Sequence, residues 1–157
     1  MATRGKNYYK DGFTLDGCIQ NAGLLPDRTC AIVTILKGQA LHDNGSGLAT
    51  NATTVLANTF LGIAAHDVDN SGDDDYVVKI IPPQQDYRFW VKVEADALIA
   101  IDNIGETVDL EQNDSIDVSD ETLVAWGFKI IAIDVSTGAV AANTYGYAYG
   151  SFEKQPQ

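Results

Sequence analysis

The residues best suited by type and spacing to do chemistry lie in one acidic stretch, Asp67-Val68-Asp69-Asn70-Ser71-Gly72-Asp73-Asp74-Asp75, with five Asp in nine positions. It matches the opening of a calcium loop: oxygen donors at positions 1, 3 and 5, Gly at 6 and Asp at 9. Calcium takes six to eight hard oxygens, and Asp67, Asp69, Ser71, Asp73 and Asp75 are the candidate ligands. Position 12, however, is Val78, where a bidentate Glu belongs, and the flanking residues read as strands. That argues against an EF-hand. A solvated hairpin loop, whose Asp, Asn and Gly suit turn geometry, explains the same residues with no ion. His42-Asp43 and His66-Asp67 contain the two histidines, but no His-x-x-x-His or Cys-x-x-Cys spacing supports zinc. They read as polar residues at strand ends. Cys18 and Cys30 read as free thiols buried as small hydrophobes, since no export signal accompanies them. No Gly-x-Ser-x-Gly elbow and no phosphate-cradling glycine loop are present, so a small β hydrolase ranks last among the readings.

Any such groups must be positioned by short strands. The 157 residues suffice for one domain, and 45% hydrophobic content suffices for a core. The acids divide into 17 Asp and 5 Glu, and 14 Gly accompany them, a composition of turns more than of helices. The net charge of −12 repels phosphate backbones and argues against a nucleic-acid partner. No apolar run is long enough to span a membrane.

Residues 1–10 carry Arg4, Lys6 and Lys10 and no acid, +3 against −15 for the remainder. Gly5, Gly12, Gly17 and Gly23 interrupt the first 29 residues, which predicts an extended N-terminal arm over 1–29 and a body over 30–157. Cys30–Lys37 reads as one buried strand, Asn44-Gly45 as a tight hairpin turn, and Thr59–Ala65 as a strand whose Gly62 marks a bulge or close approach. Tyr76–Ile81 and the alternating Tyr87–Glu94 follow, with Trp90 as an aromatic on the polar face. Ala95–Ile101 fits a short helix or a strand. Glu106–Glu111 and Asp114–Val118 read as surface strands, and Leu123–Asp134 pairs with Ala139-Val140. Tyr145–Phe152 closes the chain. Eight to ten strands at these spacings predict an all-β fold, a small barrel, β-tulip or sandwich. Tyr145, Tyr147 and Tyr149 share one face opposite Gly146, Ala148 and Gly150, which with Trp90 suggests an oligomer or partner surface.

Over residues 30–95 the order of features resembles a known type. A buried strand leads to Gly38-Gln39-Ala40-Leu41 and a Gly/Asn/Asp turn, then an Ala/Thr tract, Phe60-Leu61-Gly62-Ile63-Ala64-Ala65, an acidic loop, Val77-Val78-Lys79-Ile80-Ile81 and an aromatic strand. This order is similar to that of the capsid decoration (cement, or head-stabilising) proteins of tailed bacteriophages. The resemblance implies a non-enzymatic virion protein, made in the host cytoplasm and bound to the outer surface of the major capsid shell. It further implies a homotrimer whose N-terminal arm reaches across neighbouring capsid subunits, with Arg4, Lys6, Tyr8, Tyr9 and Lys10 as its contacts. The competing reading is a calcium-dependent carbohydrate-binding or adhesion module that uses the acidic loop and the tyrosine strand.

Overall fold

Strand formation follows apolar alternation closely in the second half of the chain. In the computed structural model, which describes residues 12–17, 25–52, 57, 59–70, 72, 76–84, 86–94, 98–119, 125–134 and 146–156, Phe89–Val93 (β9) turns Phe89, Val91 and Val93 inward and Trp90 and Lys92 outward. Thr107–Gln112 (β10), Ser115–Asp117 (β11), Trp126–Asp134 (β12) and Tyr147–Lys154 (β13) complete a ring in the order β9-β11-β10-β12-β13. An antiparallel β9–β13 pairing closes it into a five-stranded barrel. Closure removes both sheet edges, which suits strands this short. The fold class predicted from the composition is therefore found. No α-helix occurs among the described residues, and a single 3-10 turn spans Ile101–Asn103. No helix is long and apolar enough to cross a membrane among the described residues.

A second sheet carries the first half of the chain: Asp27–Thr29 (β2), Ala40–Asp43 (β4), Ala49–Asn51 (β5), Phe60–Ala64 (β6) and Val77–Ile81 (β8), in the order β2-β8-β6-β4-β5. Its two edge strands meet through Cys30, which bridges Ala49 in parallel, and Ala31 N–H donates to the Ala49 carbonyl at 2.8 Å. A hairpin joins β4 to β5, but through residues 44–48 and not a tight Asn44-Gly45 turn: Asp43 Oδ1 accepts the N–H of Gly45 and of Gly47, and Asn44 N–H donates to the Leu48 carbonyl at 3.0 Å. Gly62 in β6 has φ +131°, and a Cβ there would collide with the Ile81 carbonyl on β8, so the expected close approach is real. Thr34–Ile35 (β3) and Val68–Asp69 (β7) form a separate two-stranded ribbon.

Three expectations are corrected. Cys30–Lys37 is not one strand: Val33 N–H donates to the Ala31 carbonyl at 2.8 Å, and the buried Asn70 amide donates to the carbonyls of Cys30 and Ala31, so the chain turns before β3. Residues 106–118 are not surface strands, because Val108, Leu110 and Ile116 are barrel core. The boundary between arm and body does not fall after residue 29. Phe13 is 2% exposed, Thr14–Leu15 (β1) pairs with β9, Leu25 is in the core and β2 pairs with β8. The apolar residues Phe13 and Leu25 were the missed signal in a glycine-punctuated stretch. Residues 1–11 and 18–24 lie outside the described residues, as do 95–97 and the expected strand at Ala139-Val140.

All five phenylalanines meet between barrel and sheet. Phe152 lies 5.1, 4.9, 5.7 and 5.3 Å, centroid to centroid, from Phe13, Phe60, Phe89 and Phe128 respectively. Phe13→Ala is expected to cost about 3–5 kcal/mol in urea unfolding, as for other buried aromatics. A chain beginning at Gly12 should retain the parent midpoint. An unchanged midpoint for Phe13→Ala would restore the longer arm.

Candidate functional site

The expected site residues fall on separate surfaces. Trp90 and Tyr149 are directly opposed on β9 and β13, their rings 5.1 Å apart, and Tyr147 lies opposite Lys92. Alternation places these four side chains outside the barrel while Val91 and Ala148 point inward. Tyr149 donates its hydroxyl to Asp16 Oδ2 at 3.1 Å, tying the residues after β1 to the same face. Tyr145 lies outside the described residues. The tyrosine face expected from alternation is thus an outer, half-buried aromatic surface, not part of the core.

In the acidic stretch, two of the five candidate ligands can be placed. Asp67 Oδ1 accepts the Lys37 N–H at 2.6 Å and Asp69 Oδ1 accepts the Thr34 hydroxyl at 3.4 Å. Both carboxylates fasten the β3–β7 ribbon. Ser71, Asp73 and Asp75 lie outside the described residues, and no group of three or more His, Cys, Asp or Glu is placed to hold a metal among the described residues. His66 also has a structural role. Its Nε2 accepts the Lys79 N–H at 3.0 Å while Ala65 N–H donates to the Lys79 carbonyl, so the ring extends the β6–β8 ladder by one rung. Cys30 is a fully buried free thiol, and that burial pushes its pKa up, opposed by a backbone hydrogen bond from Val78. At neutral pH it is a protonated packing residue and not a nucleophile. The arm residues Arg4, Lys6, Tyr8, Tyr9 and Lys10 and the other cysteine, Cys18, lie outside the described residues.

Two features escaped the sequence reading. The first is a set of exposed apolar side chains around the 3-10 turn and the nearby part of β12: Ile101 is 77% exposed, Leu98 55%, Ile104 44% and Ile131 40%. The backbone brings them together. Ile104 N–H donates to the Ile101 carbonyl at 3.0 Å and Gly105 N–H to the Ile130 carbonyl at 2.8 Å. Ile131 sits at a shift of register between β12 and β13, a bulge that turns it outward. The turn is held by Asn103, whose Oδ1 accepts the Ala100 N–H at 2.8 Å and whose amide donates to Glu106 at 2.7 Å. Asp102 is the charge among them. The signal was the ambiguous Ala95–Ile101 stretch, apolar without a clear period.

The second is a largely buried ion cluster. Lys92 Nζ lies 2.7 Å from Glu94 Oε1 and 3.3 Å from Asp114 Oδ2, and Ser115 donates its hydroxyl to Glu94 Oε2 at 3.2 Å. Ser115 is fully buried, Lys92 and Asp114 are partly exposed, and the arrangement fastens β9 to the start of β11. Burial opposes the charge on Lys92, but the hydrogen bond to Glu94 and the attraction of Asp114 and Glu94 outweigh it and hold the ammonium pKa above its ordinary value. A raised folded-state pKa means that the stabilisation is complete below the lysine's unfolded value, about 10.4, and is lost as pH rises through the folded one. Stability measured by urea unfolding should therefore fall above about pH 10. Lys92→Met should cost about 3 kcal/mol at neutral pH, since it strands Glu94 in a buried position, and should remove this alkaline component. An alkaline limb unchanged in Lys92→Met would assign it to other groups.

The comparisons with known proteins leave the family open: no protein-family model and no curated protein matches the chain.

Proposed function

We propose that this chain is a virion structural protein, a capsid decoration protein that binds the outer surface of a major capsid shell and stabilises it. The observation that carries the reading is the set of exposed apolar side chains Leu98, Ile101, Ile104 and Ile131, on a chain of net charge −12. Contiguous exposed apolar surface on a soluble protein marks a contact with another macromolecule. The likeness in order of features over residues 30–95 supplies the class of partner. A protein that binds only the expanded lattice stabilises it by linkage. Many identical copies convert modest contacts into a large total, and trimers on the shell would add to that. In this reading residues 1–11, with Arg4, Lys6, Tyr8, Tyr9 and Lys10, form what is left of the contact arm, and Trp90, Tyr147 and Tyr149 form the oligomer surface. Catalysis plays no part in it.

A second reading, a carbohydrate-binding module, is favoured by the Trp90–Tyr149 ring pair with Asp16 beside it, since aromatic faces and a carboxylate suit a sugar ring. Co-sedimentation with expanded capsid shells stripped of their decoration protein, run beside a saccharide screen with calcium and with chelator, separates the two. Shell binding is expected, and Ile101→Asp with Ile104→Asp should weaken it at least about tenfold, the loss typical of truncating two interface anchors. Equal binding by the double variant, or binding to a saccharide and to no shell, would overturn the proposal.

A further inference from the structure

Asn44 is the only asparagine in the chain that is followed by glycine. The pair sits at the tip of the hairpin between β4 and β5, where Asn44, Gly45, Ser46 and Gly47 are all exposed. Asparagine before glycine can cyclise: the following backbone nitrogen attacks the side-chain amide carbon, and glycine has no Cβ to shield that nitrogen. Gly45 has φ +89°, and a Cβ there would meet no atom within 4 Å, so the tip is open to water.

Around this pair the loop supplies the groups that the reaction needs. Gly45 N–H donates to Asp43 Oδ1 at 2.7 Å, which sets a carboxylate on the proton that the attacking nitrogen must lose. The same oxygen accepts the Gly47 N–H at 3.1 Å, and Asp43 Oδ2 lies 3.7 Å from Arg28 Nη1, so the carboxylate is held from both sides. Asn44 Oδ1 accepts the Ser46 N–H at 2.9 Å and the Leu48 N–H at 3.3 Å. Two backbone donors therefore already point at the oxygen that becomes negative when nitrogen adds to Asn44 Cγ. Asn44 N–H in turn donates to the Leu48 carbonyl at 3.0 Å, so one short loop fixes nucleophile, base and electrophile together. The other asparagines among the described residues precede Ala, Ser, Ile and Asp.

We propose that Asn44 is a self-modifying residue, converted by its own hairpin into aspartate and isoaspartate through a cyclic imide with the Gly45 nitrogen. A C–N bond forms between Gly45 N and Asn44 Cγ, the Gly45 proton passes by way of Asp43 to the side-chain nitrogen, and that nitrogen leaves as ammonia. Water then opens the imide. Attack at Cγ leaves aspartate in an ordinary backbone, whereas attack at the main-chain carbonyl leaves isoaspartate and a backbone longer by one methylene. Either product adds a carboxylate next to Asp43, in a loop where Arg28 already donates to the Gly47 carbonyl at 3.4 Å. In the test, the folded chain and the same chain in urea are incubated side by side in mildly alkaline buffer. Residue 44 is followed by peptide mass and by enzymatic methylation of isoaspartate. The folded chain is expected to convert at least about tenfold faster than the unfolded one, a modest part of what a positioned base and oxyanion donors contribute. Asp43→Asn keeps an acceptor for the Gly45 N–H without the negative charge, and should slow the folded rate by at least about tenfold. A folded rate equal to or below the unfolded one, or a folded Asp43→Asn variant that converts at the parent rate, would overturn the proposal. If that variant does not fold, the two rates of the parent chain decide on their own.

Discussion

The fold depends on one aromatic contact. Phe152 is the hub at which the N-terminal segment, the open sheet and the barrel are joined: Phe13 comes from beside β1, Phe60 from β6, and Phe89, Phe128 and Phe152 from three barrel strands. Rings at 4.9–5.7 Å in tilted and edge-on arrangements are favourable for quadrupoles and leave little room for rotation. The barrel strands supply most of the larger hydrophobic cluster, and the second sheet has a smaller one of its own in Cys30, Ile35, Leu41, Ala49, Ala64, Val68, Val78 and Ile80. Phe60, Ile63 and Ile81 of that sheet, with Phe13 and Leu25, join the barrel's cluster, so the first half of the chain is no detachable appendage.

Short strands of two to nine residues hold only if their ends are tied, and the ties are polar. Asn70 clamps the turn before β3, the His66 ring lengthens β6–β8, and Ala40 N–H reaches the Asn113 carbonyl at 2.6 Å, fastening β4 to the β10–β11 turn. Next to that turn, Lys92 gathers Glu94 and Asp114. Such a cluster adds less to net stability than its short distances suggest, because the charges gave up water to reach it. Its larger effect is on register: β9 and β11 run parallel, and a slip would separate the lysine from both acids.

Much of this architecture was legible because local chemistry and global fold agree. A hairpin forms around Asn44-Gly45, though over a longer loop than a tight turn, Gly62 makes its close approach, and Phe89–Val93 alternates as a half-buried strand must. The misreadings arose where tertiary contacts override local pattern. Cys30–Lys37 has the β-branched content of a strand, yet Asn70, some 40 residues away in sequence, turns it. Asp109 is fully buried on β10 and made its strand look like a surface one, although its Oδ1 is bonded to the Leu110 N–H. In residues 12–29 frequent glycines masked single buried anchors that no periodicity announces. Of the candidate site, Trp90, Tyr147 and Tyr149 were found by alternation alone, whereas the Ile101 cluster depends on a bulge and a 3-10 turn that bring together residues some 30 positions apart.

A chain with 22 acids has little difficulty staying in solution, so the places where apolar side chains remain exposed carry more information than its charges. Around Ile101 the backbone is fixed by Asn103 and by rungs to β12, so the ordering entropy of that surface is already spent within the fold, which favours a large and mainly apolar partner.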